Sequence, residues 1–151
     1  MKTKYLIIGG VVVAVVAVAA IFVALSLGST DGEFNYKLEA TDSFEYTSDG
    51  KTYVRSAEAG KEFIIATITI KNIGFSDGIF TNALYFKLNV NGTKYDNALA
   101  TFSHPGDRLV KIEKGDKQTF TVVFEIEPGA QKAILEWHGL PPNVVSNPDL
   151  V

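Results

Sequence analysis

Hydrophobic and polar residues alternate along much of the chain after residue 33, with the period of two that is typical of β-strands. The clearest run is EFIIATITIK at 62–71, where Ile64, Ala66, Ile68 and Ile70 form one apolar face. The run at 117–127 alternates in the same way and stops at a Pro-Gly turn. Similar patterns predict strands in three further stretches: 34–40, 84–90 and 133–137.

Turn sequences between these runs predict short connections between strands. Ser48-Asp49-Gly50 separates two aromatic-containing runs, and Asn91-Gly92 favours a type I′ hairpin because both residues tolerate positive φ. In total the pattern indicates seven or eight short strands and no helix after residue 30. It predicts an all-β chain folded as an immunoglobulin-like Greek-key β-sandwich.

The N-terminal end has a different pattern, because residues 5–27 contain no charged side chain. As a helix this run would be about 35 Å long at ~1.5 Å per residue, enough to cross a hydrocarbon core of ~30 Å. Lys2 and Lys4 precede the run, and the first charges after it are acidic, which favours a cytoplasmic N-terminus. The sequence therefore predicts one N-terminal transmembrane helix, with the rest of the chain outside the cell.

A cleaved signal peptide is the alternative interpretation, since small residues occur at 17–19 and 24–26. The apolar run is longer than the usual core of a secretory signal, which favours an uncleaved anchor in the cell membrane. If the segment is cleaved, the domain is secreted. Export is expected in both cases.

These patterns divide the chain into five segments. They are a cytoplasmic N-terminus at 1–4, a transmembrane helix at 5–27, a linker at 28–33, a β-sandwich at 34–139 and a Pro-rich tail at 140–151. The tail is expected either to be a disordered end or to lie along the sandwich.

The composition of the chain excludes several classes of function. The chain has 151 residues, 14 of them Lys or Arg and 17 Asp or Glu, and its net charge of −3 offers no basic face for nucleic-acid phosphates. It has no cysteine, which excludes disulfides, thiolate metal sites and a cysteine nucleophile. Glycine-rich phosphate-binding motifs are also missing from the sequence. We therefore expect neither catalysis nor a cofactor.

Three segments carry a resemblance to a known family: AGKEFIIATITIKNIG at 59–74, FKLNVNGTKYDNALATF at 86–102, and EKGDKQTFTVVFEIEPGAQKAILEWHG at 113–139. Together they resemble the telokin-like, or immunoprotective-antigen-like, extracellular domain of prokaryotes. The resemblance implies an immunoglobulin-like sandwich that acts as a surface-exposed adhesion or binding module and has no active-site residues. One anchor followed by one such domain is also similar in layout to archaellum stator proteins that grip the surface layer.

Candidate metal ligands are few. Asp42 and Asp49 flank one predicted strand and are the pair that could bind calcium, although turns favour aspartate for conformational reasons alone. The two histidines, His104 and His138, lie far apart in the sequence. Glu136 shares a strand face with His138, so these two could chelate zinc, but an exposed strand histidine explains the position as well. We expect no metal site.

Two further candidates are a modification site and a contact surface. Asn91 begins the sequence Asn-Gly-Thr, which is an N-glycosylation acceptor on an exported domain and is equally an ordinary hairpin turn. Phe75, Ile79 and Phe80 fall in a predicted loop outside the strand alternation. They either contact a partner or tuck over the end of the sandwich.

The sequence thus predicts a membrane-anchored extracellular binding or structural module of a prokaryotic cell envelope. Its expected partners are membrane lipid, through residues 5–27, and an envelope or surface-layer protein. One alternative is a stator-type subunit of a surface filament that contacts the surface layer. Another is an exported carrier of a metal ion or small ligand.

Overall fold

A computed structural model describes residues 6–7, 30–105 and 109–150 of the chain. Within these residues the backbone forms twelve strands and two 3-10 helices, Ala83–Tyr85 and Leu99–Phe102. The strands are β1 Leu6–Ile7, β2 Gly32–Thr41, β3 Ser43–Ser48, β4 Lys51–Ser56, β5 Glu62–Asn72, β6 Ile79–Phe80, β7 Phe86–Val90, β8 Thr93–Tyr95, β9 Lys111–Ile112, β10 Lys117–Ile126, β11 Ala133–Trp137 and β12 Val144–Ser146.

The larger sheet is built on three long antiparallel strands, β2, β5 and β10, with β5 in the centre. Their register places Tyr36 and Phe120 on either side of Ile68. Since side chains of one strand alternate between faces, this pairing puts the predicted apolar residues of all three strands on one face. The start of β2 also pairs in parallel with β12.

The smaller sheet has the order β11-β7-β8 and packs against that apolar face. Phe86 lies at the centre of the contact, with its ring 5.8 Å from the ring of Phe34 and 5.5 Å from that of Phe120. The side chains that the two sheets bury between them include Leu38, Ala66, Leu88, Val122 and Leu135. The described chain is therefore all-β, with two sheets facing each other as in a sandwich.

Seven of the twelve strands have five residues or more, and they are the seven or eight that the alternation predicts. The other five have only two or three residues, which is too short for a period of two to be recognised, and of these only β8 is implied by a turn sequence, Asn91-Gly92. One predicted strand begins late: Leu84 lies in the first 3-10 helix and is not on the apolar face of β7. The Asn82 side chain accepts a hydrogen bond from the Leu84 N–H at 3.0 Å and starts this helical turn.

The Pro-rich tail lies along the sandwich. Val144 and Val145 are buried where β12 pairs with β2, so the β-structure extends beyond residue 139. Beyond β12, the Asn147 N–H donates to the Phe34 carbonyl at 2.8 Å, and the Asn35 side chain donates to the carbonyls of Pro148 and Leu150.

Most of the predicted transmembrane segment, 5–27, lies outside the described residues. Leu6 and Ile7 are described, and there the structure has a strand in place of the predicted helix: they form β1, antiparallel to Glu39 and Ala40 of β2. On that side β2 has unpaired backbone groups, which an extended segment can satisfy. Among the described residues, no helix is long and apolar enough to cross a membrane.

The two ends of the larger sheet carry different structures. At one end, which we call the linker end, the Asp31 N–H donates to the Asn143 carbonyl and the Ile73 N–H donates to the Asp31 carbonyl, both at 2.9 Å. The opposite end, which we call the hairpin end, carries the β3–β4 hairpin directly after Thr41. The ten residues of β2 separate the two ends by about 30 Å at ~3.3 Å per residue.

Candidate functional site

A second, smaller apolar cluster lies on the outer face of the larger sheet, near the hairpin end. Phe63 and Val123 are buried there although they point away from the main core. The second 3-10 helix covers them with Ala100, and the hairpin covers them with Phe44, whose ring is 5.4 Å from that of Phe63. The hairpin and the helix thus form a separate layer outside the sandwich.

Thr101 attaches this helix to the edge of β10. Its hydroxyl donates to the Val123 carbonyl at 3.0 Å, and the Val123 N–H donates to the same hydroxyl at 2.9 Å. The Ala98 N–H also donates to the Val123 carbonyl, at 2.7 Å. These bonds take the place of the backbone hydrogen bonds that a further strand would form with β10. The helix therefore has a fixed position beside the sheet.

The β3–β4 hairpin is turned towards the residues that follow the helix. The ring of Phe44 contacts that of His104 edge-on at 4.7 Å, and Arg55 Nη1 lies 3.5 Å from the Ser103 hydroxyl. Further out, Tyr46 and Tyr53 pair across the two strands with stacked rings 5.5 Å apart. We call the surface between β3–β4 and residues 99–105 the hairpin cleft.

Two hollows open along this cleft. The first has a volume of about 350 Å³ and is lined by Glu45, Tyr46, Thr47, Thr52, Ser103, His104 and Pro105. The second, of about 320 Å³, is lined by Arg55, Ser56, Glu58, Phe63, Asp96, Ala98, Leu99, Ala100 and Glu125.

The second hollow is mainly acidic, and its carboxylates already have partners on the protein. Glu125 accepts a hydrogen bond from the Glu58 N–H at 2.9 Å. The Glu58 carboxylate lies 3.3 Å from Lys61 Nζ, and this hydrogen bond raises the pKa of Lys61. Among the described residues that line this hollow, Arg55 is the one basic side chain.

Exposed apolar side chains surround the cleft. Tyr53 is exposed on the hairpin face that carries Tyr46, and Leu99 and Phe102 are exposed on the 3-10 helix, with Leu99 at 76%. Exposed aromatic and aliphatic side chains beside a concave surface are typical of protein contact sites. The arrangement can therefore hold a partner by burying apolar surface.

The candidate calcium pair is not brought together. Asp42 precedes β3 and Asp49 follows it, so the length of that strand, about 20 Å at ~3.3 Å per residue, separates them. Asp49 has a φ of 52° and forms the two-residue turn of the hairpin with Gly50, φ 73°. In the described part of the chain, no three histidine or acidic side chains cluster in a way that could hold a metal ion.

Glu136 and His138 do lie together, with 3.3 Å between Glu136 Oε1 and His138 Nε2. The same carboxylate is 3.3 Å from Lys94 Nζ. Burial alone would raise the pKa of Glu136, but hydrogen bonds from Asn89, Lys94 and His138 together hold it below its usual value. The group is thus a charged network on the outside of the smaller sheet.

Asn91 lies at the exposed tip of the β7–β8 hairpin. It has a φ of 51° and Gly92 a φ of 91°, which is the type I′ turn that the sequence predicts. The Asn89 side chain accepts from the Gly92 N–H at 2.9 Å. Asn91 is accessible to a modifying enzyme, and its glycosylation stays a prediction.

The three candidate contact residues, Phe75, Ile79 and Phe80, do not form one exposed surface. Ile79 is completely buried in the main core, and Phe75 is half-buried against it, so both tuck into the sandwich. Phe80 is 49% exposed, with Lys111 Nζ 5.7 Å from the centre of its ring. It lies at the linker end, far from the hairpin cleft.

Sequence reasoning missed the hairpin cleft. Tyr46 and Tyr53 look like core aromatics in a strand pattern, although each lies three positions from the Asp49-Gly50 turn. That symmetry could have indicated a cross-strand pair. Leu99 and Phe102 carried no usable signal, because a single turn of 3-10 helix is too short for a hydrophobic period.

Comparison with known proteins identifies the family. Residues 28–148 match the domain of unknown function DUF4352. The chain belongs to the DUF4352 family. The matched range contains β2 to β12, so both sheets, the hairpin and most of the tail are parts of the family domain. The resemblance to the telokin-like domain stays a prediction.

One solved structure is similar to the DUF4352 chain. It is described as a "putative lipoprotein (ycdA)" from Bacillus subtilis, with 14% sequence identity and a TM-score of 0.40. The alignment covers 68% of this chain and 31% of the other, so this chain spans less than a third of the length of that structure. No curated protein matches the chain.

Proposed function

We propose that this DUF4352 protein is a non-catalytic binding module, anchored in a prokaryotic cell membrane by its N-terminal segment and displayed outside the cell. Its partner is an envelope or surface-layer protein, and the hairpin cleft is the binding surface. The observation that carries this proposal is the group of exposed apolar side chains around that cleft, Tyr53, Leu99 and Phe102.

The sequence supports the anchor. Residues 5–27 are uncharged, follow two lysines and are long enough to cross a bilayer as a helix. Leu6 and Ile7 cannot be part of a membrane helix and pair with β2 at the same time. In the anchored protein we expect β1 to leave the edge of the larger sheet.

The strand connections support an immunoglobulin-like Greek key as the finer description of the fold. The chain passes from β5 in the larger sheet to β7 and β8 in the smaller one, returns to β10, and crosses again to β11. Such repeated crossing between facing antiparallel sheets is the hallmark of Greek-key sandwiches. In these folds binding surfaces commonly lie on the loops and hairpins at the ends.

The apolar composition of the cleft favours a protein partner. Tyrosine supplies a large contact area at a low cost in side-chain entropy, and the Tyr46–Tyr53 pair is already ordered by stacking. The Arg55 side chain and the carboxylates beside it supply a polar rim.

Site-specific crosslinking in intact cells tests the proposal. A photo-reactive phenylalanine analogue replaces Tyr53 in the full-length chain, and the control replaces Gln131, an exposed residue in the loop between β10 and β11. We expect an envelope protein to be crosslinked from position 53 and not from position 131. Equal capture from both positions, or no capture from position 53, would contradict the proposal.

A second substitution checks that the contact is apolar. Leu99→Lys introduces a charge on the exposed surface of the second 3-10 helix, beside the hairpin, and should reduce capture from position 53 by about tenfold, the equivalent of ~1.4 kcal/mol. Gln131→Lys is the matched control and should leave capture unchanged. A surface-layer or filament component among the captured proteins would support the stator-type version of the proposal.

A further inference from the structure

A second group of exposed apolar side chains lies at the opposite end of the sandwich. Its members share two properties: each is a large hydrophobic residue left open to solvent, and each belongs to a segment that reaches the linker end. They are Ile73, Phe80, Leu84, Leu109 and Leu140. Leu84 is 67% exposed and Leu140 is 70% exposed.

Hydrogen bonds hold these segments together around Asp31, where the chain enters the larger sheet. The Asp31 carbonyl accepts from the N–H groups of Ile73 and Gly74, at 2.9 and 3.1 Å. The His138 N–H donates to the Tyr85 carbonyl at 2.6 Å, which places Leu84 and Leu140 on neighbouring segments. The exposed leucines are therefore fixed on an ordered surface.

The packing below this surface is tight. A methyl group on Gly139 would lie 2.5 Å from the Tyr85 ring and 2.7 Å from that of Trp137, so only glycine fits there. Trp137 is held by a hydrogen bond from Nε1 to the Pro141 carbonyl at 2.9 Å. Leu140 lies between these two contacts and is nevertheless directed to solvent.

The position of the apolar N-terminal run indicates what covers this surface. In the sequence the run ends at Leu27, only five positions before the first residue of β2, Gly32. Because Asp31 is hydrogen-bonded to Asn143 and Ile73, only the four steps from Leu27 to Asp31 remain, and they span at most about 14 Å at ~3.6 Å per residue. A bilayer that holds residues 5–27 must therefore lie close to the linker end.

We infer that the linker end docks on the lipid surface, with Phe80, Leu84 and Leu140 inserted among the headgroups. This inference rests on the membrane anchor of the proposed function. Phenylalanine and leucine side chains are those that interfacial segments bury at the headgroup boundary. The hairpin cleft, about 30 Å away, would then point away from the membrane.

The charges of this end favour docking on a zwitterionic bilayer. Lys111 lies over the Phe80 ring, yet its Nζ is also 3.0 Å from the Glu113 carboxylate, and Asp77 is exposed in the neighbouring loop. Because acidic and basic side chains are mixed there, apolar insertion and not attraction to anionic lipid should dominate. Docking should thus occur on phosphatidylcholine alone.

The absence of cysteine from the sequence allows a direct test with a matched pair of sites. Leu84→Cys and Leu99→Cys each replace an exposed leucine in a 3-10 helix, at opposite ends of the sandwich. Each full-length variant carries an environment-sensitive fluorophore and is reconstituted into phosphatidylcholine vesicles with nitroxide-labelled lipid. We expect emission at position 84 to shift to the blue and lose most of its intensity, and emission at position 99 to stay as in water.

A double variant separates docking from tethering. In Phe80→Gln/Leu140→Gln, two exposed side chains change and the core does not, so the label at position 84 should lose its blue shift and quenching. If quenching persists in this variant, the short linker alone brings the label near the lipid, and the inference is overturned. Equal quenching at positions 84 and 99 would overturn it too.

Flotation of the vesicles distinguishes failure of the anchor from failure of docking. If the full-length chain does not float with the vesicles, both the proposed anchor and the docking are wrong. If it floats but the label at position 84 reports water, the anchor holds and only the docking is wrong.

Discussion

At the residue scale, Tyr36 links the two sheets through the core. The side chain belongs to the larger sheet, and its hydroxyl accepts a hydrogen bond from the Leu135 N–H of the smaller sheet at 3.2 Å. Burial raises the pKa of Tyr36 to about 12, although the bond from Leu135 acts in the opposite direction. The folded chain therefore holds this proton more tightly than the unfolded chain.

This difference predicts a loss of stability at alkaline pH. The contribution is fully present below pH 10, the ordinary tyrosine value, and is lost as pH rises through about 12, because the unfolded chain ionises first. The difference between the two pKa values corresponds to about 2–3 kcal/mol of unfolding free energy. Urea denaturation between pH 9 and pH 12 measures this loss of stability. Tyr36→Phe should flatten this decline, and an equal decline in that variant would contradict the assignment.

Asn72 is the other residue whose role only the structure reveals. It is completely buried, donates to the carbonyls of Phe75 and Ile112 at 2.8 and 2.9 Å, and accepts from the Phe75 N–H at 2.9 Å. It thereby connects β5, the following loop and β9 at the linker end.

Replacement of Asn72 should be costly. Asn72→Leu would leave one buried and two partly buried backbone groups without their partner and should lower the free energy of unfolding by about 2–4 kcal/mol. Gln118→Leu, at an exposed position, is the control and should change stability little. Chemical denaturation of both variants checks this, and equal stabilities would refute the structural role of Asn72.

At the scale of elements, the Thr101 side chain makes two of the hydrogen bonds that attach the second 3-10 helix to β10. Thr101→Val keeps the volume of Thr101 but removes the hydroxyl that pairs with both the N–H and the C=O of Val123. We expect the helix to loosen and the amide hydrogen of Val123 to exchange faster with solvent, by about tenfold for ~1.4 kcal/mol of local stability. NMR-detected hydrogen exchange measures this. Thr47→Val on the exposed hairpin is the control, and unchanged exchange at Val123 would argue against the attachment.

Strands and tight turns are the elements that the sequence predicts well. Strand β5 and the Asn91-Gly92 hairpin follow from a period of two and from tolerance of positive φ, which are local properties. The 3-10 helix at Leu84 and the short strand β12 do not follow from such local properties. The first depends on a cap from Asn82, and the second on a distant partner, Gly32, which no local pattern reveals.

At the scale of the whole molecule, the sequence predicts the core and not the surfaces. Apolar alternation identifies Ile68 and Phe124 as core because burial there repeats along a strand. The hairpin cleft forms from residues that are distant in sequence, such as Tyr53 and Leu99, and is visible only after folding. The same holds for the separation of the cleft from the linker end, on which the inferred docking to lipid depends.

Labelling of intact cells tests the central claim, an anchored domain outside the membrane, most directly. The full-length chain carries Gln131→Cys as its only thiol, and a maleimide that cannot cross membranes is added before or after lysis. The account predicts labelling before lysis and recovery of the labelled protein with the membrane fraction. Labelling only after lysis, or recovery in the soluble fraction of the cytoplasm, would contradict it.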